Sequence, residues 1–168
     1  AVRVGDIYER QLSDTDSAIA AYRRVLDLDE RADAALDALE RLYREGSQWP
    51  SLIEIFILQI DAHPDREIER RLLIGQVQCV EMGEDDDAIK TFEDVLDLDP
   101  ANKESLAELE RLYQERSDWE GLVGVYERLL NASDDVETRK ALCNNIAMVQ
   151  EEVFGDSLKA AEYFHQIL

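Results

Sequence analysis

The stretch Asp87–Pro100, DAIKTFEDVLDLDP, has a near copy at Ser17–Glu30, SAIAAYRRVLDLDE, with seven of fourteen positions identical. Weaker copies keep the same phase: LIEIFILQI from Leu52, LVGVYERLL from Leu122 and AAEYFHQIL from Ala160. With Ala18, Leu52, Ala88, Leu122 and Ala160 taken as equivalent, the steps are 34, 36, 34 and 38 residues. A recurrence of that length marks stacked repeats, each too small to bury its own apolar face and each completed by its neighbour.

Each repeat reads as a pair of helices. Ala18, Ile19, Tyr22, Val25 and Leu26 fall at i, i+3, i+4, i+7 spacing, with Asp16 or Ser17 expected as the cap. Val4-Gly5-x-x-Tyr8 opens the preceding helix, with Ile7 and Leu12 on its apolar side, followed by a polar turn from Ser13 to Asp16. Leu36, Leu39, Leu42 and Tyr43 mark the next core face, broken at Gly46-Ser47. The partner helix is expected from Trp49 to Ala62, Pro50 being tolerable in a first turn. Ile53, Ile55, Phe56, Ile57 and Ile60 make that helix the most apolar, so it is expected to have neighbours on several sides.

Leu72, Leu73, Val77 and Val80 line the third repeat's first helix, which turns at Gly83-Glu84. LERLY at Leu39–Tyr43 returns at Leu109–Tyr113, and Ser47-x-Trp49 returns as Ser117-x-Trp119. The fifth repeat runs from about Asp135, turns at Phe154-Gly155-Asp156, and starts a second helix. Two repeat types alternate: Val4 to Ala18, Ile74 to Ala88 and Ile146 to Ala160 span 14 residues, whereas Leu39 to Leu52 and Leu109 to Leu122 span 13. One array is expected, in units of approximately 1–30, 31–64, 65–100, 101–134 and 135–168. It opens in helical phase and reaches Leu168 within a repeat, so a longer parent array is expected.

Charge narrows the partners. Lys and Arg number 18 against 39 Asp and Glu, a formal charge of −21, which repels nucleic acid backbones and anionic lipid and favours partners with basic segments. No stretch approaches the roughly 18 apolar residues of a membrane span. Cys79 and Cys143 both lie in amphipathic runs, which suits reduced thiols and leads us to expect a cytoplasmic setting. The triplet Asn131-Ala132-Ser133 has the form of a glycosylation acceptor, a pattern common by chance.

These repeats resemble the tetratricopeptide repeat, a helix–turn–helix unit with the signature W-x2-L-G-x2-Y, then A-x3-F, then P. Ala88, Phe92 and Pro100 match its second half; Ala18 and Tyr22 match conservatively; Phe56 and Pro64 stand at the corresponding places in the second repeat. Tyr43 and Tyr113 fill the tyrosine place, while Val4-Gly5 and Ile74-Gly75 recover the L-G portion. Leu52 and Leu122 replace the small alanine, and Glu40 and Glu110 the small glycine. The resemblance implies an all-α, right-handed solenoid of about five hairpins. Its core would hold Ala18, Tyr22, Leu39, Tyr43, Phe56, Ala88, Phe92, Leu109, Tyr113, Tyr126 and Phe164. Divergent arrays of this kind are similar to those of long bacterial scaffold proteins.

No HExxH, CxxC, P-loop or GxGxxG occurs, and neither His63 nor His165 accompanies a nucleophile motif. Asp85-Asp86-Asp87 stands where a helix start favours negative charge, and the sequences DLDE and DLDP lack the glycine and closing glutamate of a calcium loop. No enzyme activity, metal or cofactor is expected. The resemblance implies instead a protein-interaction scaffold with a concave groove lined by first helices. Asp37, Arg41, Arg44, Gln76, Cys79, Arg111, Gln114, Asn144 and Met148 would face it. Its arginines and amides could select a peptide carboxylate or main chain. Equally, Arg41 could pair with Asp37 and Glu45 on its own helix. The family's carboxylate clamp needs Lys and Asn at set first-helix positions. Asn144 and Asn145 lie in one such region, but no Lys stands at the matching earlier places, so no clamp is expected. Two other readings remain: a regulatory arm of a larger enzyme, or self-association through end repeats.

Overall fold

Apolar stripes with a helical period become helices throughout the described chain. A computed structural model describes residues 2–12 and 14–165, the side chains of residues 2 and 10–12 excepted. The turn residue Ser13, the apolar position assigned to Leu12 and the chain's last residue, Leu168, thus fall outside the described residues and side chains. The elements are α1 (Val2–Leu12), α2 (Thr15–Leu26), α3 (Asp33–Glu45), α4 (Trp49–Ala62), a 3-10 turn (Pro64–Arg66) and α5 (Glu67–Gln76). A π-helical turn (Val77–Met82) continues α5, followed by α6 (Asp85–Leu98), α7 (Lys103–Glu115), α8 (Trp119–Ala132), α9 (Val136–Glu152) and α10 (Ser157–His165). The chain forms two compact units, Ala1–Ala88 and Ile89–Leu168.

In the first unit α1 packs on α2, α2 on α3, α3 on α4 and α4 on α5. Ala18, Tyr22, Leu36, Leu39, Tyr43, Leu52, Ile55, Phe56 and Ile74 make one continuous buried cluster. In the second unit α7, α8, α9 and α10 pack in the same succession around Leu106, Leu109, Tyr113, Leu122, Tyr126 and Ile146. Within each unit successive helices bury their stripes against one another, the arrangement the repeat period requires.

Small residues set how closely the hairpins approach. A Cβ on Gly5 would lie 2.5 Å from the Tyr22 ring, and one on Gly121 2.4 Å from the Tyr113 ring. Both glycines therefore let an aromatic ring lie flat on helix backbone. Helix starts are capped by carboxamide and carboxylate side chains that accept from the third residue onward: Asp14 from the Ser17 amide (3.0 Å), Asn102 from Ser105 (3.1 Å), Asp118 from Gly121 (3.0 Å) and Asp135 from Thr138 (2.8 Å). Asp14 thus replaces the expected Asp16 or Ser17, because the residue that can reach the first free amides must stand outside the helix.

The two repeat types differ in how their turns close. In the shorter type the amides of Gln48 and Asp118 donate to the carbonyls of Tyr43 and Tyr113, five residues back, at 2.8 and 2.9 Å. In the longer type Asp14, Glu84 and Asp156 donate to Tyr8, Gln78 and Gln150, six residues back, at 2.9, 2.8 and 2.8 Å. One extra turn residue accounts for the 14 against 13 spacing. The shorter turns put Ser47 and Ser117 in the left-handed region, φ 52° and 55°, where helix ends usually place glycine.

Several expectations need correction. α4 does have neighbours on several sides, α3, the 3-10 turn, α5 and the π-helical turn, but Ile57 among its apolar residues is 49% exposed. Ile7 and Val4 are exposed as well, since no described helix packs on that side of α1. Val80 is 71% exposed because the π-helical turn rotates it out of the stripe. Phe164 is 38% exposed rather than in the core, because no described element follows α10 to cover it. The other ten expected core residues are buried.

Candidate functional site

The arginines expected to face a partner are held by the protein's own carboxylates. Arg41 pairs with Glu9 of α1 at 2.7 Å and with Glu45 at 3.5 Å, so its main partner comes from a neighbouring helix rather than from Asp37. Arg44 pairs with Glu40 at 3.1 Å and its guanidinium stands 6.0 Å from the Phe56 ring centre. Arg111 lies between Glu108 (3.0 Å) and Glu115 (2.9 Å), and its hydrogen bond to Glu108 pushes its pKa further up. Asp37 is exposed, while Gln76 and Cys79 are half-buried, the Cys79 thiol lying 3.6 Å from the Gln76 carbonyl. A row of free cations for a peptide carboxylate is therefore not what these residues form.

A crevice of about 480 Å³ opens in the second unit, between the end of α7, the start of α8 and the end of α9. Gln114, Trp119, Leu122, Tyr126, Asn145, Met148, Val149, Glu152 and Val153 line it. Two residues expected from sequence, Gln114 and Met148, meet here. Asn144 stands at its edge, donating to the Met148 sulfur at 3.6 Å. Trp119, Asn145 and Glu152 are not among the groove residues that the sequence implies, and Tyr126 reads there as core. The recurring Ser-x-Trp and the Asn144-Asn145 pair were the available signals. The crevice holds apolar wall, two carboxamides and one carboxylate, and its lining includes no Lys or Arg.

Behind the wall lies a second carboxylate. The Tyr126 hydroxyl donates to Glu110 at 3.0 Å and the Gln114 amide to the same oxygen at 3.3 Å. Burial, and then the bond to Glu110, raise the pKa of Tyr126. The first unit has a counterpart: Glu40 accepts from Gln59 at 2.9 Å, Arg44 at 3.1 Å and Arg70 at 3.4 Å. There the Arg70 guanidinium, 8% exposed, lies 5.7 Å from the Phe56 ring centre. A separate hollow of about 650 Å³ lies on the open side of α1 and α2, walled by Val4, Tyr8, Ala20, Ala21 and Leu28. It is the larger of the two, with Ser17, Arg24 and Asp27 also in its lining, but it draws on α1, α2 and the turn that follows, whereas the second-unit crevice gathers side chains from three helices, two of them expected from sequence, and is the better candidate.

Among the described residues no three His, Cys, Asp or Glu side chains gather to hold a metal, and no helix is long and apolar enough to cross a membrane. The fold defines a helical-hairpin repeat protein. Two models of the tetratricopeptide repeat match the sequence, one at residues 35–69 and 105–140, the other at 2–32 and 69–102. The chain belongs to the tetratricopeptide repeat family.

Two solved structures of MamA, each 20% identical with a TM-score of 0.50, support the same fold. The alignments cover 98% and 99% of this chain and 92% and 87% of theirs. YrrB, described as a TPR protein with an unusual peptide-binding site, is 14% identical over 97% of this chain and 80% of its own, with a TM-score of 0.49. No curated relative matches the sequence.

Proposed function

We propose that this chain is a non-catalytic scaffold that holds an extended segment of a partner protein against its first-helix faces. The observation that carries the reading is the crevice that gathers Gln114, Trp119, Tyr126, Asn145 and Met148 from three helices. Helices packed pairwise around a buried cluster are already ordered, so a partner segment binds without much protein reorganisation. A charge of −21 favours basic segments and disfavours nucleic acid and anionic lipid.

Affinity capture with the intact chain, compared with its Met148→Arg variant, tests this. Proteins retained by the parent, released as salt rises to roughly 0.5 M and absent from a variant with an unchanged circular dichroism spectrum support it. Equal retention by both would remove the crevice from the mechanism. A second reading, self-association through exposed end faces, is favoured by Leu28 and Leu158, 85% and 82% exposed. Light scattering that returns 19.3 kDa at every concentration would eliminate it.

A further inference from the structure

The two units treat one station differently. An offset of 70 residues, fixed by the repeated LERLY, carries Glu40, Arg44 and Phe56 onto Glu110, Gln114 and Tyr126. An offset of 72, fixed by Ile74 and Ile146, carries Arg70 onto Leu142. In the first unit a carboxylate and a ring hold two guanidinium groups, at 3.1 and 3.4 Å from Glu40 and 6.0 and 5.7 Å from the Phe56 centre. In the second the carboxylate and the ring are kept, and both stations that carried a cation are uncharged. The crevice opens on that ring, with Glu152 on its rim.

We propose that the crevice takes an arginine side chain from a partner protein, which supplies in trans the cation that Arg44 and Arg70 supply in the first unit. The proposal rests on the scaffold reading and names what the scaffold recognises. The guanidinium lies on the Tyr126 ring beside Trp119, its charge balanced by Glu110 and Glu152, while the stem of the side chain covers Met148 and Val149. Arginine suits this better than lysine, because its flat, weakly hydrated group stacks on aromatic faces and still pairs with carboxylates.

The test is a nuclear magnetic resonance titration of the full chain with a blocked pentapeptide, Gly-Leu-Arg-Leu-Gly, and its citrulline twin, which has the same shape without the charge. The expected result is a shift of the Trp119 indole N–H and the Asn145 side-chain amide with the arginine peptide, and binding about tenfold weaker with citrulline. Gln114→Arg installs the guanidinium of the first unit in cis, and should weaken the arginine peptide by a similar factor with an unchanged circular dichroism spectrum. Equal binding of the two peptides overturns the guanidinium site and leaves an apolar anchor in the groove. Undiminished binding by Gln114→Arg also overturns it. So does the absence of any shift with the arginine peptide, in which case the Met148→Arg capture still decides the scaffold reading separately.

Discussion

Replacing Glu40 by Leu should destabilise the first unit more than any surface ion pair would suggest. Glu40 accepts three hydrogen bonds, from Gln59, Arg44 and Arg70. Arg44 can turn to solvent, its side chain being 51% exposed, but Arg70 at 8% cannot. The variant therefore leaves a buried guanidinium whose Nε already lacks a partner, beside a buried Gln59 amide that loses its acceptor. Stripping one partner from a buried pair costs about 3–5 kcal/mol. The Glu40 side chain is 21% exposed and its contact to Arg70 is long, at 3.4 Å, and the Phe56 ring stays in place. We expect less than that range, about 2–3 kcal/mol.

Urea unfolding in a Trp119→Phe background, followed by Trp49 fluorescence, isolates the first unit, since Trp49 packs on its core cluster. The double variant Glu40→Leu/Arg70→Met should recover at least about 1 kcal/mol relative to the sum of the singles. An unmoved midpoint for Glu40→Leu, or strict additivity, would refute the reasoning.

Gly121→Ala forces a Cβ to 2.4 Å from the Tyr113 ring and should cost about 1–3 kcal/mol, whereas Gly124→Ala meets nothing within 4 Å and should be neutral or stabilising by urea unfolding. Phe92→Ala, at a fully buried position, should lose about 3–5 kcal/mol, read as a drop in urea midpoint. Burial, and then bonds to Glu93 and Glu127, push the pKa values of Tyr113 and Tyr163 up to about 12. These hydroxyls keep their protons in the folded chain after the unfolded chain has lost its own. Their contribution to stability is therefore full below pH 10 and is lost as pH rises toward 12, which denaturant midpoints and tyrosinate absorbance across that window check.

Much of the fold was legible because the repeat period and the helical stripe are both local signals. The helix Trp49–Ala62 was read to the residue, and Ala18, Tyr22, Leu39 and Phe92 sit where their spacing put them. The alternation of 13 and 14 residues was visible too, though not that it reflects turns closed by bonds five or six residues back. What escaped depends on contacts between helices. Arg41 finds Glu9, 32 positions earlier, because packing brings α1 beside α3, which no intrahelical rule contains. The exposure of Val80 follows from a π-helical turn that has the same residue types as an α-helix. Tyr126 read as core because its stripe position is a core position. Its part in a crevice wall appears only once α9 is seen to leave space beside it.

That π-helical turn, Val77–Met82, gives the third repeat a tolerance the fifth lacks. A π turn holds one residue more than the α-helical path it replaces, so a single deletion there can relax into ordinary helix. The same loss within α9 would swing every later side chain by about 100° and turn its stripe away from its neighbours. Changes in chain length can thus be absorbed ahead of Asp87–Pro100 without disturbing the phase that the repeats share.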